Sequence, residues 1–340
     1  MIKNFNPEKN IASILKGYTP KMNYDGSVEF SEWQKEARQK LRELLGIDLI
    51  EKCEPDFKIT EETDCGDHNK IYFTFNSEEN YTVPCCLAVP KECKDKLPLM
   101  ICLQGHSTGM HISLGIPKFE EDEGDIPTGH HTRFALDNGY CALAIEQRYM
   151  GQCGGDSKGP GCIANGRSDT ASALTALLLG RCAIGERVFD ISRAIDVVCE
   201  NFDVIDAEDI SCIGSSGGGT ATFYAACIDE RIKQAVPSCS VCTYVDSIAA
   251  MFHCPCNYVP SIARYFDMGV LGGLIAPRGL AVIAGEEDPI FPIDGVRKSV
   301  AVTKELYKAA GAENKVVLAT AKTPHRFSKD TAYEALRKIR

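Results

Sequence analysis

An apolar run ending Ile210-Ser211-Cys212-Ile213 leads into Gly214-Ser215-Ser216-Gly217-Gly218, and small residues follow from Thr220 to Cys227. A strand, then Gly-x-Ser-x-Gly, then a helix is the setting of a nucleophile elbow. The chemistry explains the pattern. Ser216 must sit on a tight strand-to-helix turn with strained backbone angles, and Gly214 and Gly218 remove the side chains that would collide across it. Such a turn lifts the hydroxyl clear of the sheet and aims the Gly217 N–H at a developing oxyanion. The plain alternative is a Gly-rich phosphate loop or simple turn.

A serine hydroxyl needs a base. Where the nucleophile rides on an elbow, an acid and then a histidine follow it in chain order. Of the seven histidines, only His253 and His325 come after Ser216. His325 follows the last apolar run, in Ala321-Lys-Thr-Pro-His325-Arg-Phe327, and is the expected base. His253 falls in an expected helix beside cysteines. The acid should lie between, at a strand end. Asp288 in Gly285-Glu286-Glu287-Asp288-Pro289 fits, with Glu286, Glu287 and Asp246 as rivals. Its task would be to accept the His325 N–H and stabilise the imidazolium; its ordinary alternative is to cap the next helix.

A second oxyanion donor is expected after the first parallel strand, from the His106 backbone N–H in Leu103-Gln104-Gly105-His106. The His106 side chain would line the pocket or be buried. Gln147, Arg148 and Tyr149 follow the second parallel strand, at the rim, and are candidate substrate-binding residues. Arg148 is open to two readings: a contact for a substrate carboxylate or hydroxyl, or an ion pair holding its loop.

Cys239 and Cys242 form a C-x-x-C pair, and His253-Cys254-Pro255-Cys256 follows. Four thiols and an imidazole suggest zinc, but the second pair is too close for a zinc knuckle. Buried packing is the expectation, and no metal or cofactor is assigned. Tyr244, Phe252, Tyr258 and Tyr265 nearby read as core rather than as a substrate platform.

The elements that position these residues are legible as alternation. Apolar runs at 98–104, 141–146, 209–214, 232–236, 279–284 and 315–319 read as strands. Helical patterns lie at 130–138, 183–201, 218–229, 243–267 and 294–311. This predicts a mostly parallel, doubly wound sheet flanked by helices, with sites at the C-terminal strand ends. Two further strands, 71–76 and 81–89, precede it across a polar turn. Residues 1–70 form an N-terminal helical extension with one amphipathic helix, Phe30 to Gly46, and 71–340 form the catalytic domain. Long connections at 106–130 and at the glycine-rich 149–182 are expected to shape the site.

Composition narrows the classes. With 340 residues, 44% hydrophobic and 25% charged, the chain is an ordinary globular one. The net charge of −10 disfavours nucleic acid as a partner. No apolar run approaches the roughly 20 residues that span a bilayer, and no secretory signal is visible at MIKNFNPEKN, so a cytoplasmic protein with no membrane partner is expected. The 17 cysteines lie largely in apolar segments, as small buried hydrophobes in a reducing compartment.

Together these motifs resemble the α/β-hydrolases of the dienelactone-hydrolase and acetyl-xylan-esterase-like group, closest to the bacterial acetyl-xylan-esterase branch. The resemblance spans 80–340. It is carried by Leu-Gln-Gly-His at 103–106, Glu-Gln-Arg-Tyr at 146–149, Leu-Leu-Leu-Gly-Arg at 177–181 and Gly-Glu-Arg-Val-Phe-Asp at 185–190. It continues through Gly-Ser-Ser-Gly-Gly-Gly-Thr at 214–220, Pro-Ser-Cys-Ser at 237–240, Glu-Asp-Pro-Ile-Phe-Pro at 287–292 and His-Arg-Phe at 325–327. It implies an α/β-hydrolase fold and a Ser216–Asp288–His325 triad without a cofactor. Dienelactone hydrolase itself uses a cysteine nucleophile, so that activity is not implied. The expected activity is a serine carboxylic-ester hydrolase acting through an acyl-enzyme. Its expected partner is a small-molecule ester, such as an acetylated sugar or oligosaccharide; homo-oligomerisation stays open. The alternatives are a peptidase or thioesterase on the same fold, or a non-catalytic binding or metal-sensing protein.

Overall fold

The structure is a computed structural model, and it describes residues 6–93, 95–154 and 170–340. The strands are β1 (Lys58–Asp64), β2 (His68–Glu78), β3 (Tyr81–Pro90), β4 (Leu97–Leu103), β5 (Cys141–Ile145), β6 (Ile205–Ser215), β7 (Ile232–Ser238), β8 (Gly279–Gly285) and β9 (Val316–Ala321). The α-helices are α1 (Pro7–Lys16), α2 (Phe30–Leu45), α3 (Ile126–Gly129), α4 (His131–Asp137), α5 (Thr170–Ala176), α6 (Ala183–Asn201), α7 (Gly217–Ile228), α8 (Ile262–Tyr265), α9 (Met268–Gly272), α10 (Ile293–Ala309) and α11 (Lys329–Ile339).

The strands join in one sheet, in the order β1-β2-β3-β5-β4-β6-β7-β8-β9. β1 to β3 and the β3–β5 pair are antiparallel; from β5 through β9 every pair is parallel. Residue alternation sorts each parallel strand between two cores. On β4, Leu99, Ile101 and Leu103 face the larger core with α2, α6, α7 and α10, while Met100 and Cys102 face the smaller one with α4 and α11. Both faces are covered, which is why these strands read as continuous apolar runs.

The chain winds from β4 outward to β5, then crosses to β6 on the other side of β4. That is a topological switch point, where an open parallel sheet leaves a crevice beyond its carboxyl ends. The register pairs Leu103 with Gly214. The Gln104-Gly105-His106 loop therefore lies alongside Ser215-Ser216.

Some local expectations change. Of the helix expected over 243–267 only the short α8 forms: Pro255 and Pro260 interrupt it, and the chain ahead of α8 is held by other bonds instead. Ser247 Oγ donates to Ile290 O at 2.7 Å, and the Tyr244 N–H to Asp267 Oδ1 at 3.0 Å. His253 therefore sits in irregular chain, not in a helix. The sequence spacing predicts neither β1 nor the helices α1, α3, α5, α9 and α11. Helix α2 ends where expected, at Gly46, which takes the left-handed φ of 70°. No helix among the described residues is long and apolar enough to cross a membrane. No disulfide joins the cysteines among the described residues.

Candidate active site

Ser216 is the residue between β6 and α7, at φ 51° and ψ −119°. Its N–H donates to Ser238 O on β7 at 2.9 Å, which fastens the turn to the sheet. The glycines around it are required by space. A Cβ on Gly214 would lie 2.4 Å from Gly218 O, and one on Gly218 would lie 2.3 Å from Leu103 O. Gly217 is the first residue of α7, so its N–H has no partner within the helix.

His325, after β9, places Nε2 2.9 Å from Ser216 Oγ. Its Nδ1 lies 2.8 Å from Asp288 Oδ2. Asp288, after β8, is 4% exposed. Its other oxygen accepts the Ile290 and Phe291 N–H groups at 2.8 and 3.1 Å. Burial pushes the Asp288 carboxyl up, but the His325 hydrogen bond and charge and those two N–H donors outweigh it, leaving the pKa below the ordinary value. The structure thus brings together the three residues expected as a triad, from three strand ends. The rival acids lie elsewhere. Asp246 bonds Thr243 and Lys298, and Glu286 accepts from Thr320.

The His106 N–H makes no hydrogen bond to an acceptor among the described residues. A Cβ on Gly105 would lie 3.1 Å from Ser215 O and 3.5 Å from the Ser216 Cβ, so this loop runs directly over the nucleophile turn. Glu146, buried at the end of β5, braces the loop. Its Oε1 accepts from Gln104 Nε2 at 3.2 Å and the Met110 N–H at 3.0 Å. Burial raises its pKa to about 7, against the Met110 and Gln152 N–H groups and the Lys118 charge. Further along, Asp122 Oδ2 accepts the Lys118 and Phe119 N–H groups, and His111 Nε2 stands 3.0 Å from the same oxygen. These two carboxylates give the 106–130 connection its shape. Gly155, Gly159, Gly161 and Gly166 of the other long connection lie outside the described residues.

The rim candidates divide. Arg148 is 5% exposed and takes the ion-pair alternative. Its Nη2 is 2.7 Å from Asp190 Oδ1, its Nη1 donates to Glu78, and its guanidinium stacks 3.8 Å over the Tyr81 ring. Among the described residues its guanidinium contacts are all to protein groups. Gln147 is buried, with Nε2 donating to Gln104 O at 2.7 Å. Tyr149 donates to Glu186 and packs beside Cys254 and Cys256.

The four-thiol cluster does not form. Cys239 turns toward Asp288 and His325, and Cys242 packs under Pro292. Cys254 and Cys256 instead meet His106, whose Nε2 is 3.5 Å from the Cys256 sulfur. The Cys254 thiol is pulled well down by its hydrogen bonds with Cys256 and His106, against burial. No spacing rule could find this contact, because its members lie 150 positions apart.

A family model described as acetyl xylan esterase matches residues 15–267. That span includes Ser216 and ends before Asp288 and His325. The Bacillus subtilis (strain 168) protein named Putative hydrolase YtaP is 27% identical over 232 residues, covering 67% of this chain and 73% of that one. A Bacteroides fragilis NCTC 9343 structure, described as a putative acetyl xylan esterase, superposes with a TM-score of 0.77 at 14% identity, over 94% of this chain and 83% of that one. The Glucuronoyl Esterase from Solibacter usitatus gives 0.69 at 14%, over 95% and 96%. At such identities the structures speak to fold, and that fold is the α/β-hydrolase one the motifs implied.

Proposed function

This chain belongs to the acetyl xylan esterase family and is a carboxylesterase-type hydrolase, and from that premise we propose that it works through a Ser216–His325–Asp288 triad. Ser216 Oγ–H donates its proton to His325 Nε2 as the oxygen attacks the ester carbonyl. The oxyanion is held by the N–H groups of Gly217 and His106. Collapse expels the alcohol, protonated by His325, and leaves an acyl-enzyme. His325 then takes a proton from water as it attacks the acyl carbon, and returns that proton to Ser216 Oγ as the acyl C–O bond breaks and the acid leaves. Asp288 holds the Nδ1–H tautomer throughout.

The observation that carries this reading is the unbroken chain of contacts, 2.9 Å from Ser216 to His325 and 2.8 Å from His325 to Asp288, on a serine at positive φ. The substrate we infer is a small acyl ester of a sugar or oligosaccharide, acetyl first, in keeping with the family. The triad's own chemistry calls on no cofactor.

The experiment is hydrolysis of p-nitrophenyl acetate by wild type and Ser216→Ala, matched for folding by circular dichroism. The variant should lose about 10⁴-fold or more, and a fluorophosphonate should label only wild type. Equal rates in the two proteins would remove Ser216 from the mechanism. Acetate release from acetylated xylo-oligosaccharides, set against hydrolysis of methyl and glucuronoyl esters, then tests the substrate.

A further inference from the structure

Beside the proposed triad lies a group of side chains that the ester chemistry does not use. The donor atoms of His106, Cys254 and Cys256 all lie within 4.8 Å of one another, and the His106 Nε2 to Cys256 Sγ separation is 3.5 Å. A tetrahedral zinc with Zn–S of about 2.3 Å and Zn–N of about 2.0–2.1 Å sets an N···S edge of about 3.6 Å. The side chains thus stand near coordination distance already. One imidazole and two thiols form a nitrogen–sulfur set that selects zinc or copper(I) over magnesium or calcium.

A second observation is independent of that spacing. Arg187 is 1% exposed, and its guanidinium faces Cys256. Its Nε donates to Arg148 O at 2.8 Å, while among the described residues Nη1 and Nη2 have no oxygen or nitrogen acceptor and face only the Cys256 thiol. A buried cation whose donors meet only a thiol is costly unless something anionic faces it. A metal-bound thiolate is such a group, and N–H donors aimed at sulfur are the usual outer shell of a thiolate site. Tyr149, Ala173 and Ala183 pack against the two cysteines and give the site an apolar side. The Cys254–Cys256 loop is also docked on α7, where Thr220 Oγ1 lies 3.3 Å from Asn257 Oδ1.

We propose that His106, Cys254 and Cys256 form a binding site for a thiol-seeking metal ion of the zinc class, with the fourth position left to water or a small ligand. Each thiol that ligates gives its proton to solvent. The site would join the oxyanion loop to the segment ahead of α8. Its consequence for catalysis rests on the esterase reading. The His106 ring packs against Gly217, where a Cβ would come within 2.7 Å of it. A metal on Nε2 would therefore hold the His106 and Gly217 N–H groups in fixed relation.

The test uses the full chain, purified metal-free under a phosphine reductant. Zinc is titrated against a chromophoric chelator, and cobalt(II) is added as an optical probe. We expect one equivalent per chain, a thiolate-to-cobalt charge-transfer band and the ligand-field bands of tetrahedral cobalt. Cys254→Ser and Cys256→Ser should each weaken binding at least tenfold, while Cys242→Ser should not. Should a serine variant fail to fold, wild type still answers: zinc must protect Cys254 and Cys256 from iodoacetamide, read by peptide mass spectrometry. Binding below one equivalent, a cobalt spectrum without sulfur charge transfer, unprotected Cys254 and Cys256, or binding that survives loss of both cysteines would each overturn the proposal. Ser216→Ala should keep its zinc, so failure of the esterase reading and failure of the metal site are separate results.

Discussion

Ser216 is held in a conformation that L-residues rarely adopt, at a cost of order 1–3 kcal/mol. The surrounding fold enforces it through the Ser238 carbonyl and the glycines on either side. Glu146 carries a different kind of strain. Burial lifts its pKa from the ordinary 4.5 to about 7. Between those values the folded protein keeps a proton that the unfolded chain has lost. Stability contributed at this residue therefore falls as pH rises through that window, and the loss is complete above about pH 7. Glu146→Gln titrates nothing there. Its stability relative to wild type should rise by on the order of 2–3 kcal/mol between pH 4 and pH 8. Urea unfolding at the two pH values measures this directly; a constant difference would mean that Glu146 is not held protonated.

At the scale of elements, the loop after β5 is tied down by charge. Arg148 joins Asp190 on α6 to Glu78 at the end of β2, and Arg181 joins Glu78 to Glu186. Asp190 is 2% exposed, so Arg148→Ala would leave a buried carboxylate without its counter-charge. The expected loss is about 3–5 kcal/mol. Replacing both partners, Arg148→Met with Asp190→Leu, should recover most of it, because the penalty lies in the unpaired charge. A loss below about 1 kcal/mol in the single variant would show the pair to be dispensable. The tie also explains why Gln147 and Tyr149, on the same loop, are fixed by protein partners.

On the scale of the whole molecule, the first two helices differ sharply. Helix α1 buries no residue. Helix α2 buries Trp33, Ala37, Leu41 and Leu45 in the main core. Its Arg38 donates to Cys227 O and Leu274 O, and Gln34 to Gly273 O and Ala276 O. Removing residues 1–17 should therefore shift stability by less than about 1 kcal/mol, whereas Trp33→Ala should cost about 3–5 kcal/mol. Thermal and urea melts of the two proteins decide it. A large loss on truncation would mean that α1 packs more tightly in solution than its exposure implies.

Local chemistry was readable in the chain itself. The Gly214-Ser215-Ser216-Gly217-Gly218 turn declared its conformation, because only glycine fits where backbones approach within van der Waals range. The β4 to β9 runs declared a doubly wound sheet, because strands covered on both faces must be apolar throughout. Position along the chain also pointed to Asp288 and His325, since each follows a strand whose carboxyl end opens on one crevice. The segment over 243–267 misled, because its apolar spacing resembles a helix while its bonds are made to Ile290 and Asp267. Only the tertiary structure decided what distant residues do to each other. It engaged Arg148 with Asp190 rather than a substrate, and it parted Cys239 and Cys242 from Cys254 and Cys256. It set His106 against those last two thiols because register places the loop after β4 over the start of α7. Sequence separation carries no distance once a chain has folded, so contacts of that kind have no signature until the elements are packed.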